Sequence, residues 1–231
     1  MNKNILAIIP ARAGSKGVKN KNSRKIAGKP LISWTILEAM KSKYLTNTIV
    51  STDCNKISSI ADKLGVEVLN RPKELATDTS PIIPTLKHAS AYAEEKYNTY
   101  NAILLLQPTA PMRTCKDIDQ SIEIFFKRKD AESLISVYKV EDSHPSRMYT
   151  ILQNNSLEKF YEEPEGSLRQ DLKEIYHRNG AIYICSRNLL MLDNKLISDD
   201  PIPYIMPKER SVNIDDEQDF ITAGFLMENF K

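Results

Sequence analysis

The sequence has none of the long apolar segments that mark membrane proteins and almost no excess charge of either sign. The apolar run near its start, residues 5–9, is too short for a membrane span or for the core of a signal peptide. The net charge is only +2, so no strong overall field favours nucleic acid or an anionic membrane as a partner. These absences predict a cytoplasmic protein that binds neither nucleic acid nor membranes.

Cysteine and glycine are both scarce. The three cysteines, Cys54, Cys115 and Cys185, lie far apart and form no CxxC pair, which argues against a zinc knuckle or a dithiol redox site. An odd number without a disulfide framework suits a reducing compartment. Because the chain has only seven glycines, the presence of Gly14 and Gly17 in one loop sets that loop apart.

Apolar runs typical of buried strands alternate along the chain with segments of helical periodicity. We predict strands at residues 5–9, 48–52, 66–69, 102–106, 133–140, 181–185 and 202–206, and helices at residues 31–41, 57–64, 82–96, 118–126 and 217–230. This alternation predicts a parallel sheet covered by helices on both faces. Ligands of such folds bind beyond the carboxyl ends of the strands, so we expect the site in the loops after residues 9, 52, 69 and 106.

Residues 141–176 interrupt the alternation with prolines, two adjacent asparagines and many charges. A hairpin is predicted inside this segment, with strands near residues 148–152 and 159–161. So long a segment within a compact domain is usually functional or supported by a partner. The length of the chain fits a single domain, residues 1–231, with residues 141–176 inserted as a subdomain.

Basic residues and glycines fill the loop after the first predicted strand, residues 11–22. Arg12, Lys16, Lys19 and Lys21 supply positive charge, and the glycines allow backbone amides to approach an anion closely. The loop matches neither GxxxxGK[ST] nor GxGxxG. We interpret it as a phosphate site, and a solvated basic loop is the alternative.

Polar residues also close the next strands of the predicted sheet. Arg71 stands at the end of a strand, where it would reach a phosphate or a base edge. Asp78, Thr79 and Ser80 are expected to cap the following helix, and an added contact with substrate stays open. Gln107 either hydrogen-bonds a sugar or a base, or belongs to a structural turn fixed by two prolines.

Two further polar segments lie near the end of the chain. In the first, Asn179 and Gly180 suggest a tight turn, and His177 is expected to be structural rather than catalytic. In the second, alternation places Asn213 and Asp215 on one face after a strand-like run. Oxygen ligands there suit Mg²⁺ beside a triphosphate, whereas the acids that follow, residues 216–217, are expected to cap the last helix.

Taken in order, the motifs resemble the acylneuraminate cytidylyltransferase family, also called CMP-sialic acid synthetases. They are IIPARAGSKGVKNKN, STD, NRPKELATDTS, LLQPTAPMRT, YHRNGAIYI and SVNIDDEQDF, from Ile8 to about Phe220. The resemblance implies a Rossmann-like, three-layer α/β fold with a mostly parallel sheet and a small inserted dimerisation subdomain at residues 141–176. It also implies a homodimer that takes CTP and an acidic nonulosonic sugar to a CMP-sugar and pyrophosphate with Mg²⁺ as cofactor, a step of cell-surface glycan biosynthesis.

The resemblance carries roles over to individual residues. Those it assigns to catalysis are Arg12, Lys16 and Lys21, and those it assigns to substrate binding are Asn22, Arg71, Ser80, Gln107 and Asn179. Asp215 is implied to bind Mg²⁺. Many family members have an aspartate where this chain has Asn213, and a neutral amide is a weaker ligand, so Asn213 is the less certain of the two metal ligands.

Several points stay open at this stage. The acceptor is a sialic, legionaminic or pseudaminic acid, or the enzyme uses another nucleotide. A non-catalytic nucleotide-binding protein on the same fold is the alternative from another class. Arg147, Arg169 and residues 176–178 are expected near the sugar, one arginine binding its carboxylate. No side chain is identified as the general base.

Overall fold

Seven strands form the central sheet of the computed structural model, which describes residues 3–14, 17–162 and 172–229. Their order is β11-β7-β10-β6-β1-β4-β5. The bounds are β1 Ile5–Pro10, β4 Asn47–Thr52, β5 Glu67–Asn70, β6 Ala102–Leu105, β7 Ser133–Lys139, β10 Tyr176–Ser186 and β11 Ile202–Ile205. Two short strands, β2 Lys25–Ile26 and β3 Lys29–Pro30, pair with each other, as do β8 Tyr149–Ile151 and β9 Leu157–Lys159.

The sheet is mostly parallel, as predicted, but it is mixed. Strands β6, β1, β4 and β5 run parallel to one another, and β7 runs parallel to β11. Strand β10 runs antiparallel to both β6 and β7. It begins at Tyr176, earlier than the predicted residue 181, because pairing with β7 draws the polar residues 176–178 into the ladder.

Helices cover both faces of this sheet. Their bounds are α1 Leu31–Met40, α2 Asn55–Lys63, α3 Ile82–Lys96, α4 Cys115–Lys127, α5 Arg187–Met191 and α6 Glu217–Asn229. One core cluster joins the sheet to α1, α2 and α4, and another joins it to α3 and α5. Strand β1 contributes to both clusters, because its side chains alternate between the faces and are buried on each. The three-layer α/β architecture is therefore confirmed.

A third core cluster lies at the carboxyl edge of the sheet. It packs Val18 of the basic loop against Ile214 and against Phe220 of α6, together with Ile26 and Leu31. Burial of these apolar side chains fixes the loop after β1 onto the segment that precedes α6. The loop after β1 and the segment before α6 thus meet where the site was expected.

The residues that cap the helices differ in part from those predicted. Helix α4 begins at Cys115 because Thr114 forms a capping box with Asp117. The prediction that residues 78–80 cap α3 is wrong, since Pro81 takes the N-cap position and no side chain accepts a capping hydrogen bond there. At α6 the expected cap is confirmed for Asp216, whose Oδ1 accepts a hydrogen bond from the amide of Asp219 at 2.9 Å.

The predicted hairpin is present as β8 and β9, with its second strand starting at Leu157. The division into a domain and a subdomain at residues 141–176 stays a prediction, and residues 163–171 lie outside the described ranges. Within the part of the chain that is described, no helix combines the length and hydropathy needed to cross a membrane.

Candidate functional site

A cleft of about 350 Å³ opens at the carboxyl ends of the parallel strands. The loops after β1, β5 and β6 line it, as the topology predicts. The predicted residues that it brings together are Arg12, Lys21, Asn22, Arg71, Ser80 and Gln107. These side chains are remote in sequence, so their convergence is a property of the fold.

A second cleft of about 680 Å³ adjoins the first. Asn179, Asn213 and Asp215 line it, together with residues 176–178 of β10. Gln107 lines both clefts, so it stands at their junction. The structure thus groups the predicted residues into two neighbouring sites rather than one.

The basic loop is packed tightly against the segment before α6. A Cβ atom at Gly17 would lie 1.9 Å from the backbone oxygen of Asp215, so only glycine allows this approach. Next to it, Val18 is fully buried, and Lys21 Nζ donates to the Ile214 carbonyl oxygen at 2.7 Å. This anchoring is at odds with the alternative of a freely solvated loop.

Positive charge dominates the first cleft. Arg12 forms an ion pair with Asp78, and the amide of Ala13 donates to Asp53 Oδ1 at 2.8 Å. Burial lowers the pKa of Lys21, and the nearby carboxylates of Asp215 and Asp219 partly offset this effect. An anion in the cleft would favour the charged form of this lysine. Lys16 lies outside the described residues, and its role stays a prediction.

Arg71 is a buried cation at the floor of the same cleft. Its Nε donates to Ser51 Oγ at 3.1 Å and its Nη2 to the Ser51 carbonyl oxygen at 2.5 Å. Burial lowers the pKa of Arg71 to about 10. Among the described residues no carboxylate lies within ion-pair distance of it. Asp53 offsets only part of the effect of burial, and a buried charge without a direct ion-pair partner is costly, so this guanidinium is suited to an anionic or polar ligand.

Two other predicted residues of this site have local partners. Ser80 Oγ donates to the Glu74 carbonyl oxygen at 2.8 Å, which holds residues 74–80 in a compact turn at the rim. Asn22 Nδ2 is 3.4 Å from the Arg12 carbonyl oxygen, and its buried Oδ1 has no hydrogen-bond partner among the described residues. The unpartnered oxygen makes Asn22 the better placed of the two to receive a donor from a ligand.

Both polar atoms of the Asn179 side chain are hydrogen-bonded to other protein groups. Its Oδ1 accepts from Ser136 Oγ at 2.6 Å, and its Nδ2 donates to Ser211 Oγ at 2.9 Å. These contacts favour a positioning role over direct substrate contact. Asn179 and Gly180 form no tight turn; they lie in an irregular stretch of β10, where Gly180 has a φ of +72°. A Cβ at Gly180 would approach Gln107 Oε1 to 2.9 Å.

Asn213 and Asp215 lie side by side, as alternation predicts. Asn213 Nδ2 donates to Asp215 Oδ2 at 2.7 Å, and the buried Asn213 Oδ1 has no partner in the described ranges. The described part of the chain contains no group of three or more histidine, cysteine, aspartate or glutamate side chains that could bind a metal. The oxygens of Asp215 and Asn213 do fit Mg²⁺, which commonly completes its shell with phosphate and water.

Arg113 is a functional candidate to which the sequence assigned no role. Its guanidinium is fully buried, and its Nη1 donates to the Ala181 carbonyl oxygen of β10 at 2.7 Å and to the Gln107 carbonyl oxygen at 3.3 Å. It therefore ties the loop that carries Gln107 to the strand that carries Asn179. Its sequence context, a loop with two prolines, contains no pattern that predicts burial of an arginine.

Only some of the residues expected near the sugar line the second cleft. His177 is exposed and lines the second cleft, with its ring 5.4 Å from that of Tyr138. Arg147 pairs with Asp142 at 2.8 Å and lines neither cleft of its own chain. Arg169 lies outside the described residues. Arg178 lines the second cleft, and its side chain has no hydrogen bond or ion pair among the residues described, whereas its backbone pairs with β7.

A match over most of the chain decides to which protein family it belongs. A family model described as Cytidylyltransferase matches residues 6–220. The chain belongs to the cytidylyltransferase family. Members of this family are nucleotidyltransferases, and the match spans both clefts, from β1 to the start of α6.

Two curated relatives are similar over nearly the whole chain. An N-acylneuraminate cytidylyltransferase of Escherichia coli is 34% identical over 96% of this chain, which spans only 52% of that protein. A CMP-N,N'-diacetyllegionaminic acid synthase of Legionella pneumophila is 35% identical over 97% of this chain and 96% of the relative. The chain thus spans about half of the first relative and almost all of the second.

A solved structure confirms the cytidylyltransferase fold. The CTP complex of a CMP:2-keto-3-deoxy-manno-octonic acid synthetase superposes with a TM-score of 0.71, covering 98% of this chain and 99% of the other. The sequence identity is 17%, so this likeness concerns the fold alone.

Replacing Gly17 with alanine tests whether its close packing positions the cations of the first cleft. The new Cβ would lie 1.9 Å from the Asp215 oxygen, so the loop must shift. We expect inorganic tripolyphosphate, measured by isothermal titration calorimetry, to bind at least roughly tenfold more weakly to Gly17→Ala.

Gly14→Ala is the matched control in the same loop. A Cβ there would meet Arg12 Nη1 at 3.6 Å, an ordinary van der Waals contact. Its affinity for tripolyphosphate should stay within about twofold of the unmodified chain. Unchanged binding in Gly17→Ala, or equal losses in both variants, would contradict the role given to the Gly17 contact.

Proposed function

We propose that the chain transfers CMP from CTP to the anomeric hydroxyl of an acidic nonulosonic sugar and releases pyrophosphate. The observation that carries the proposal is the meeting of two clefts at Gln107, one rich in cations and one lined by polar and aromatic side chains. A transfer between two substrates needs such neighbouring sites. The relatives act on sugars of this class by name, which supports the same chemistry here.

The first cleft is proposed to hold CTP. Arg12, Lys16 and Lys21 would bind the triphosphate, because a polyanion needs several cations to offset its charge. Arg71 would contact the cytidine end, with Asn22 and Ser80 beside the nucleotide. The half-buried Lys21 is suited to this role, since charge interactions strengthen where water is excluded.

The second cleft is proposed to hold the sugar acid. Gln107 would hydrogen-bond the sugar where the clefts meet, and Asn179 would orient β10 beside it. Arg178 would bind the sugar carboxylate, because it is the cation of this cleft without a carboxylate partner in the described residues. The sialic, legionaminic and pseudaminic acids share this carboxylate, so the geometry favours the class and not one member.

Chemistry at the junction would be an in-line displacement. The oxygen of the anomeric hydroxyl attacks the α-phosphorus of CTP and its proton passes to water. The bond from that phosphorus to the oxygen bridging to the β-phosphate breaks. Pyrophosphate leaves with the electron pair, and Arg12, Lys16 and Lys21 balance its charge. Positioning and charge stabilisation supply most of the rate enhancement in reactions of this kind.

Mg²⁺ is the proposed cofactor. Asp215 would supply a carboxylate oxygen and Asn213 an amide oxygen, with phosphate and water completing the shell. When bound, the ion offsets charge on the triphosphate and on the leaving pyrophosphate.

We also propose a cytoplasmic location, because the three cysteines are all free.

A pyrophosphate-release screen tests the proposed reaction. Each nucleoside triphosphate is paired with sialic, legionaminic and pseudaminic acids, with and without Mg²⁺. We expect release with CTP, at least one sugar acid and Mg²⁺ together, because both clefts must be filled. Binding of CTP without consumption would instead indicate the alternative, a nucleotide-binding protein that is not an enzyme.

Lys21→Met tests the cation content of the first cleft. Loss of the half-buried ammonium should lower kcat/KM for CTP by about a hundredfold, since a charge in a partly dry site is not replaced by water. Lys19→Met is the matched control, because Lys19 is exposed and does not line the cleft. Equal losses, with both variants folded by circular dichroism, would contradict the assignment.

We further propose that the chain is a homodimer joined through β8 and β9. These strands form a separate two-stranded sheet, which is marginal in water by itself. Ile151 and Leu157 are paired across it and are 73% and 64% exposed, and Phe160 beyond it is 65% exposed. An exposed apolar face of this kind is suited to burial against a second copy.

The double variant Ile151→Asp, Leu157→Asp tests the dimer. Two charges on the apolar face should convert the chain to a monomer in sedimentation velocity at micromolar concentration. Thr150→Lys is the matched control, because it adds a charge on the opposite face of the same hairpin, where it stands across from Glu158. A double variant that sediments like the unmodified dimer would show that another surface forms the interface.

A further inference from the structure

The metal ligands proposed for this chain form an unusual pair, one carboxylate and one amide. The Asn213 amide already occupies Asp215 Oδ2 through a hydrogen bond of 2.7 Å. The other atom of that amide, Asn213 Oδ1, is buried and lacks a partner among the described residues. The pair thus offers one free carboxylate oxygen and one neutral oxygen.

The neighbouring acids are committed to other contacts. Asp219 Oδ2 accepts from the backbone amides of Asp215 and Asp216 at 2.9 and 3.1 Å. Asp216 Oδ1 accepts from the Asp219 amide, and Glu217 pairs with Arg24 at 2.6 Å. These contacts hold the start of α6. Asp219 also lines the second cleft, but two backbone amides engage its Oδ2.

Positive charge close to Asp215 weakens the pull of this site on a cation. Lys21 donates to the Ile214 carbonyl oxygen at 2.7 Å, and its ammonium interacts electrostatically with Asp215. Mg²⁺ loses its water reluctantly and normally needs carboxylates together with substrate phosphates. Asp219 and Asp216 also act on this ammonium, but the proposed pair of ligands itself carries only one negative charge, on Asp215, before a nucleotide arrives.

We propose that Asn213 makes metal binding depend on the nucleotide, so that Mg²⁺ enters this chain with the triphosphate and not before it. The inference rests on the proposed function, since it concerns the same site. A second carboxylate at position 213 would lie beside Asp215, because the two side chains are already in contact. Such a pair would hold a divalent cation in the free protein.

Mn²⁺, a paramagnetic substitute for Mg²⁺, allows the proposal to be tested by water-proton relaxation without any turnover. Binding is measured for the unmodified chain and for Asn213→Asp, each alone and with CTP. Without CTP, Asn213→Asp should bind Mn²⁺ at least roughly tenfold more tightly than the unmodified chain. With CTP, both should form a ternary complex.

Asn98→Asp is the matched control, because it adds the same charge on an exposed loop before β6, at the opposite edge of the sheet. It should bind Mn²⁺ like the unmodified chain. Thermal unfolding gives an independent readout: Mn²⁺ alone should raise the Tm of Asn213→Asp and leave that of the other two unchanged.

Tight Mn²⁺ binding by the unmodified chain without CTP would overturn the proposal, even if Asn213→Asp fails to fold. Failure of the proposed function is distinguishable from this result. It would appear as no ternary complex and no pyrophosphate release, whereas an early-binding metal with normal release overturns only the inference about Asn213.

Discussion

The approach of Gly17 to the backbone of Asp215 is the contact on which the candidate site depends. It joins the loop after the first strand to the segment before the last helix. Burial of Val18 against Ile214 and Phe220 holds the two segments together, so the apolar core at this edge positions polar groups above it. Lys21 reaches the Ile214 carbonyl oxygen only because of this packing.

Gln107 has a comparable position between the two clefts. Arg113 holds its backbone against β10, and Gly180 leaves room for its side chain. The reversed strand β10 is therefore more than a variation in topology. By running antiparallel beside β6, it brings residues 176–180 to the same edge as the loops of the parallel strands.

Three polar groups at these clefts lack full partners among the residues described. Arg71 has no carboxylate within ion-pair distance, and the buried oxygens of Asn22 and Asn213 have no donors. Buried polar groups are normally satisfied, so such exceptions carry a cost in folding free energy. The site is in this sense prepared for a charged, polar ligand, and the cost is offset by the large apolar clusters on both faces of the sheet.

The sequence by itself determined the layered α/β fold and the segments that carry chemistry. Runs such as residues 5–9 and 102–106 predict strands buried on both faces, because they are short, fully apolar and bounded by polar residues or proline. The order of the motifs also pointed to the family. Both conclusions rest on local patterns, which the chain displays directly.

Only the tertiary structure decided which residues in those segments are buried, which are hydrogen-bonded within the protein and which are left to contact a ligand. No local pattern predicts that Pro81 rather than Ser80 is the N-cap of α3, or that the Asn179 amide is fully hydrogen-bonded within the protein. The burial of Arg113 is equally unpredicted. The last two outcomes depend on contacts between residues remote in sequence. Hydrogen-bond partners and burial are set by packing, and packing is fixed only when the whole sheet and its helices come together.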